Sequence, residues 1–450
     1  MKQTIRIANG QGFWGDSIDA PAQLVERGGI DFLTLDYLAE VTLSIMQRQR
    51  LKNPEAGYAR DFIDLMAHIL PACLDQGIRV VTNAGGVNPR ACREALEKAA
   101  AHAGRRVRVG VIEGDDILEQ LDELEAAGAD LRNLETGEPF AAIRGKVSSA
   151  NVYLDSFCIA QALDQGAQIV LAGRVSDPGL ALGPLIHAFG WGRADWDLLA
   201  AGTVAGHVTE CGAQCTGGNY SRWWEVPELA RIGYPIVEAA PDGTFVLTKH
   251  EGTGGLVNVR GVTEQLLYEM GDPRNYISPD VRVDFTSLLL EQAGPDRVAF
   301  RGARGLPATD TFKVSCSYLA GYKASSQLTV SGPRARQKAE LAARVIWERL
   351  ANAGCRFDKT LTELVGLDAC HPGIAARGEP DEVVLRLAVR DHSRARVNRF
   401  GKELAPLITN GPPGITGFAG GRPKAQEIVA FWPALIPKRL VRTRVTVEGG

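Results

Sequence analysis

Short, almost wholly apolar runs separated by longer stretches of helical period organise the first half of the chain. Runs at 5–8, 30–35, 78–82, 107–112 and 168–172 are too short for helices and end in Gly, Asn, Asp or Pro, so they read as strands. A helix near 21–27 follows the first run: Asp19 is placed to cap it, Pro21 suits its first turn and Gly28-Gly29 ends it. Leu38, Val41 and Ile45 mark a second helix, and Phe62, Leu65, Met66, Ile69 and Cys73 a third that should kink at Pro71. Alanine-rich sequence to His102, a stretch through Ala127 and another to Phe189 predict three more. Strands joined through helices cross over in one sense, which predicts a mostly parallel, Rossmann-like α/β sheet flanked by helices.

After about Gly233 the rhythm turns irregular and strand-rich. Strands are expected at 245–248, 281–285, 298–303, 311–314, 383–390 and 440–447, and a helix at 334–353 with Leu341, Val345 and Leu350 on one face. Two domains are expected: 1–230, the parallel-sheet domain, and 231–450, an α+β unit completing the site, with a soft boundary near 228–240.

Composition adds exclusions. A 450-residue chain with 45% hydrophobic residues can fill ordinary cores, and a net charge of −3 points away from nucleic acid. The opening MKQTIRIANG lacks a signal pattern, and no apolar run approaches the ~18 residues of a spanning helix. The eight cysteines are scattered, which suits reduced thiols. A cytoplasmic protein without membrane contact is expected.

In open parallel sheets ligands bind beyond the carboxyl ends of the strands. Here those ends carry Asn9, Asp16, Asp36, Asn83, Asn88, Glu113, Arg174 and Asp177. Such residues are also ordinary turn formers, but their repetition at successive strand ends favours a shared site. A second concentration lies in AGHVTECGAQCTGGN (205–219) and KHEGTGGLVNVR (249–260). Arg174 could clamp a carboxylate or phosphate. Gly85, Gly86, Gly217, Gly218, Gly254 and Gly255, with Asn219 and Asn258, could bring backbone N–H groups to an oxyanion. His207, Glu210, Lys249, His250 and Asp36 are candidates for moving a proton.

Other chemistries are weaker on the residues. His207, Cys211 and Cys215 lack a tight C-x-x-C knuckle, so no metal site is assigned, although zinc stays an alternative there, as does a cysteine nucleophile. The loops at 83–89, 251–255 and 411–421 do not match a P-loop, and G-Q-G-F-W-G at 10–15 fits the dinucleotide pattern with a bulky Phe13-Trp14 inside it. That pair reads better as an apolar wall of a pocket or interface.

The strings ANGQGFWGD (8–16), LDYLAEVTLSIM (35–46), TNAGGVNP (82–89), AGRVSDPGLALGPLIHAFGW (172–191), GHVTECGAQCTGGNY (206–220), TKHEGTGGLVNVRGVTEQLLYE (248–269) and GPPGITGFAGGRP (411–423) resemble the acyclic terpene utilisation AtuA family over nearly the whole chain. The resemblance implies a place in catabolism of branched acyclic compounds through acyl-CoA intermediates, with no settled reaction and no catalytic residue to carry over. Two function classes stay open. One is a lyase or hydratase acting on a branched hydroxy or unsaturated carboxylic acid or its CoA thioester. The other is a non-catalytic acyl-CoA-binding or scaffolding subunit. No cofactor is firmly implied; CoA would enter as part of the substrate. Longer members carry a small C-terminal domain, so the resemblance implies a small separate subunit here, and Phe13, Trp14, Trp191, Trp196, Trp223, Trp224 and Trp432 near glycine-rich loops suggest a homo-oligomer.

Overall fold

The computed structural model describes residues 3–367, 369–371, 374, 378–417 and 421–450. Its first half follows the strand–helix alternation: β1 (Ile5–Gln11), α1 (Ala20–Arg27), β2 (Phe32–Leu35), α2 (Glu40–Lys52), α3 (Arg60–Gln76), β3 (Arg79–Thr82), α4 (Pro89–His102), β4 (Val109–Glu113), α5 (Leu121–Ala126), β5 (Val147–Val152), α6 (Phe157–Asp164), β6 (Ile169–Leu171), α7 (Gly179–Phe189) and α8 (Trp196–Thr209). The five strands expected from the apolar runs pair in parallel, in the order β1-β2-β3-β6-β4. Adjacent residues of β2 face opposite layers. Leu33 enters the core shared with Leu24 of α1, Phe62 and Met66 of α3 and Leu96 of α4. Phe32 meets His187 of α7 edge-on at 6.4 Å.

The sheet as a whole is mixed, which corrects the expectation of a mostly parallel, Rossmann-like sheet. The chain continues through β7 (Ile236–Ala239), β8 (Phe245–Thr248), α9 (Val259–Leu267), β9 (Tyr276–Ile277), β10 (Val281–Asp284), β11 (Leu289–Gly294), β12 (Arg297–Arg301), β13 (Arg304–Pro307) and β14 (Thr311–Ser331). β7 lies antiparallel beside β1, and β8, β12 and β11 extend that edge by further antiparallel pairs. Short links such as the turn between β7 and β8 permit only antiparallel neighbours, because a parallel return needs a long crossover. β10 forms a separate sheet with β9 and β13.

No break falls near 228–240, so the expected 1–230 and 231–450 division is replaced. One compact unit is Met1–Ser317 with Phe431–Gly450; the other is Tyr318–Ala430. In the second unit the later part of β14 pairs with β16 (Glu382–Asp391), β16 pairs with β15 (Lys359–Val365), and α10 (Ala335–Asn352), α11 (Arg394–Glu403) and α12 (Leu407–Asn410) close a core with Leu385, Leu387, Ile346 and Phe400. β17 (Ile415–Thr416) also pairs with β14. β18 (Gln426–Pro437) leads back to the first unit, where β19 (Arg444–Glu448) pairs antiparallel with β4 and forms the far edge of the large sheet. Of the 411–421 loop, residues 418–420 lie outside the described residues.

One local expectation also changes: Asp19 makes no side-chain cap on α1. The first part of the 205–219 segment is helical, because α8 runs to Thr209, and every residue from Leu199 to Thr209 is buried. A helix buried on all sides has no polar face to announce it in sequence. Its fit is set at Gly206, where an added Cβ would lie 2.3 Å from the backbone oxygen of Pro178. Backbone cannot swing aside as a side chain can. Gly206→Ala should therefore destabilise the protein by about 1–3 kcal/mol, the range for overpacking, read as a lower urea midpoint; an unchanged midpoint would show that α8 is not seated this closely.

Candidate functional site

β1 ends in a register shift between Asn9 and Gln11, and the chain then turns at Gly12 directly against another backbone. A Cβ at Gly12 would stand 2.7 Å from the carbonyl carbon of Cys211 and 2.8 Å from the nitrogen of Gly212. Only glycine permits that approach. It seats the segment after α8 beside the carboxyl ends of β1 and β2, and the Gln11 carbonyl accepts the Asp36 N–H at 2.9 Å.

A cavity of about 660 Å³ opens here. Asp36, Glu40, Asp177, Glu210 and Glu269 supply carboxyls to its wall, Arg174 and Lys313 supply cations, and Phe13, Leu38, Tyr153, Cys211 and Tyr268 supply the less polar surface. Its size falls within the ordinary range for small-molecule sites, ~300–1,000 Å³.

Asp36 is buried and held by neutral donors. Asn83 Nδ2 donates to its Oδ1 at 2.7 Å and the Leu38 N–H at 3.0 Å, while Asn83 Oδ1 accepts the Tyr37 N–H at 2.7 Å. Burial, then the Asp177 charge, push the Asp36 carboxyl well above the usual carboxylate range, against the opposing pull of Arg174. Asp36 thus holds its proton more firmly than an ordinary carboxyl does.

Glu210 follows α8 and accepts or shares a proton with His207 Nδ1 at 2.8 Å. The other ring nitrogen, Nε2, lies 3.3 Å from the Leu266 carbonyl, which can only accept, so Nε2 carries a hydrogen. The contact between Nδ1 and Oε1 then needs a proton of its own, placed on either atom. Burial raises Glu210 to about 7 despite His207, and Glu210 in turn raises His207 above its ordinary value against the effect of burial. The pair retains one proton to higher pH than either group would alone. Glu210 Oε2 is buried and has no hydrogen-bond partner.

Glu40 behaves oppositely. Burial works against its charge, but the Tyr153 hydroxyl, its own backbone N–H, Arg174 and Lys313 hold it down to about 2. Arg174 is 2% exposed: Nη1 donates to Asp177 at 2.6 Å and to the Leu38 carbonyl at 2.9 Å, Nη2 donates to Asp177 at 3.2 Å, the guanidinium lies 4.1 Å from the Tyr153 ring centre, and Nε is buried without a hydrogen-bond partner. Its backbone N–H donates to Asp115 at 2.8 Å. The side chain organises the wall; both of its terminal nitrogens are already committed.

The other sequence candidates lie elsewhere. Lys249 pairs with Asp296 at 2.9 Å and donates to the Thr253 carbonyl, and His250 faces the Gly28 carbonyl at 3.0 Å over α1. Neither lines the cavity. Asp16 accepts from the Gly12 N–H and the Tyr234 hydroxyl, and buried Asn9 accepts from the Gln11 N–H, so both shape the loop after β1. Asn258 caps α9 and Asn88 caps α4. Glu113 pairs with Arg90 and Arg444. The glycine segments pack on each other: the Leu256 N–H donates to the Thr216 carbonyl at 2.7 Å, Gly217 and Gly255 take positive φ, Gly218 abuts Ala213 and Gly254 abuts Glu228; Asn219 also takes positive φ. Gly85 and Gly86 are likewise walled in, by Ala172 and Pro89 and by Met46 and Gly57. Sequence reasoning missed Tyr153, Gln214, Tyr268, Glu269 and Lys313 as lining residues. Tyr268 and Glu269 end one of the quoted family strings; Tyr153 and Lys313 carry no local signal.

Burial, then the Glu210 charge, raise the Cys211 thiol to about 12, the reverse of what a thiolate nucleophile needs. Among the described residues no cluster of three His, Cys, Asp or Glu is arranged to hold a metal, and no helix is long and apolar enough to cross a membrane.

The model of the acyclic terpene utilisation family protein AtuA matches residues 5–447. This chain belongs to the AtuA family. The match spans the sequence of both compact units. No curated protein matches it. The family's description connects this member to acyclic terpene utilisation and leaves the reaction to be argued from the site.

The Glu210 geometry has a pH signature. The folded protein keeps the Glu210 proton between about 4.5 and about 7, where an unfolded chain has released it. Wild-type stability therefore falls as pH rises through that window. Glu210→Gln has no such proton, and it also removes the contact that raises His207, an effect of the same sign. Denaturant titrations should show the stability of Glu210→Gln, relative to wild type, rising from pH about 4.5 to about 7. A pH-independent offset would mean that Glu210 ionises freely in the folded state.

Proposed function

We propose that this chain is a catabolic enzyme of acyclic terpene utilisation, a lyase or hydratase acting on a branched hydroxy or unsaturated carboxylic acid or its CoA thioester. One observation carries the reading: Glu210, paired with His207 and left with a buried, unpartnered Oε2, lines the same cavity as Asp36. Adding or removing water beside a carbonyl needs a base and an acid in one dry site. In the dehydration direction Glu210 takes the proton from the carbon next to the carbonyl. That C–H electron pair becomes the new C=C bond. The C–O bond breaks, and the hydroxyl leaves as water with the proton that Asp36 has kept. Hydration is the reverse, and the two carboxyls return to their starting states by exchange with solvent. His207 holds Glu210 in place and shares its proton. Lys313, whose ammonium also touches Glu40 at 3.4 Å, has donors to spare for a developing oxyanion.

Exposed Trp223 and Trp224, in edge contact at 5.9 Å, support a further part of the proposal, a homo-oligomer. Light scattering that gives a monomer at micromolar concentration removes it. For the chemistry, Asp36→Asn and Glu210→Gln should each lower kcat by roughly 10²–10⁴, the range for losing a general acid or base, with smaller effects on KM. His250→Ala should leave kcat within about twofold of wild type, since the expected catalytic role for this residue is not supported by its position. Tight binding of acyl thioesters with no turnover would instead support a non-catalytic acyl-CoA-binding subunit.

A further inference from the structure

Resting on that reading of the cavity, we infer that its substrate presents no negative charge at the reacting end: it enters as a thioester or another neutral acyl group, not as the free carboxylate. The lining sets five carboxyls, Asp36, Glu40, Asp177, Glu210 and Glu269, against two cations. Each cation already faces a carboxylate. Arg174 is tied to Asp177 through two nitrogens and to the Leu38 carbonyl. Lys313 stands 3.4 Å from Glu40, with its ammonium 4.6 Å from the Tyr153 ring centre. Two backbone donors of the lining are also taken: Gly12 N–H goes to Asp16 and Leu38 N–H to Asp36.

A substrate carboxylate would therefore enter beside the ionised Glu40 and its neighbouring carboxyls, with no cation that lacks a carboxylate partner, in a partly desolvated space where repulsion is stronger than in water. A neutral carbonyl only needs to accept one hydrogen bond, which Lys313 can give. The rest of an acyl group has somewhere to go. A side chamber of about 230 Å³ shares Tyr153, Asp177 and Lys313 with the cavity and is otherwise walled partly by Pro178, Tyr276, Ile277, Pro279 and Leu435. Those side chains suit hydrocarbon. The chamber and the carboxyl-lined cavity together fit an acyl group with an apolar tail and an uncharged head.

The test is equilibrium binding by calorimetry of two unreactive probes with one acyl group, isocaproic acid and its N-acetylcysteamine thioester, to the full chain at neutral pH. The thioester should bind about tenfold more tightly or better, a difference of ~1.4 kcal/mol. Glu269→Lys changes an exposed side chain of the lining and should narrow the ratio by raising the affinity of the acid. Equal or tighter binding of the acid, binding of neither probe at millimolar concentration, or a ratio unmoved by Glu269→Lys would overturn the inference. Turnover in the Asp36 and Glu210 variants is measured separately. A protein that loses kcat in those variants yet binds the acid well would keep the acid–base reading and lose this one.

Discussion

The buried guanidinium of Arg174 is the constraint on which the site depends. A full charge at 2% exposure is tolerable only when matched and hydrogen-bonded, and here Asp177, the Leu38 carbonyl and the face of Tyr153 do both. The same residue's backbone N–H goes to Asp115, at the end of the neighbouring strand region. One side chain thereby ties together the ends of β2 and β6, the start of α7 and the segment after β5. Its charge also restrains what its carboxylate neighbours can do. It lowers Glu40 and opposes the rise in Asp36, while Asp177, which neutralises it, raises both Asp36 and Glu210. The carboxyls of one cavity thus differ in acid strength: burial raises Asp36 and Glu210, while the Tyr153 hydroxyl and the nearby cations hold Glu40 down.

Close backbone approach supplies the second half of the arrangement. Gly206 lets α8 lie against Pro178, and Gly12 lets the loop after β1 rest on Cys211 and Gly212. Glu210 sits between those two contacts in sequence, so its position is set by backbone packing on both sides. His207, one turn earlier, is buried among Tyr276 and Phe285 with its ring at 5.5 and 5.4 Å from theirs. That packing, together with the Leu266 carbonyl on Nε2, leaves the histidine facing Glu210 and keeps water from competing for the shared proton.

The glycine-rich echo between 205–219 and 249–260 has a structural explanation. The two segments pack on one another through the Thr216 carbonyl and Leu256 N–H, with glycines where no Cβ fits. Lys249 and His250 go with the second segment and end on Asp296 and Gly28. Glycine density in sequence therefore marked tight packing here, while the group facing the cavity, Glu210, comes from the helix end beside it.

The sequence by itself determined the local periodicities and the elements they build. Uninterrupted apolar runs bounded by Gly, Asn and Asp specified the five parallel strands, Pro21 with Gly28-Gly29 bounded α1, and the long strings specified the family. Asp36, Arg174 and Asp177 were legible as neighbours around one cavity, with Asn83 holding Asp36, because the carboxyl ends of parallel strands share one edge whatever packs around them. Tertiary structure alone decided the rest. Pairing of β7 with β1 and β19 with β4 joins residues far apart in the chain, and no local pattern encodes which edge a strand will take. Tyr153 and Lys313 look like ordinary strand-region residues until folding sets one against Arg174 and the other against Glu40. The acid strengths of Asp36 and Glu210 are likewise absent from the sequence, since burial and neighbouring charge, which set them, exist only once the chain has folded.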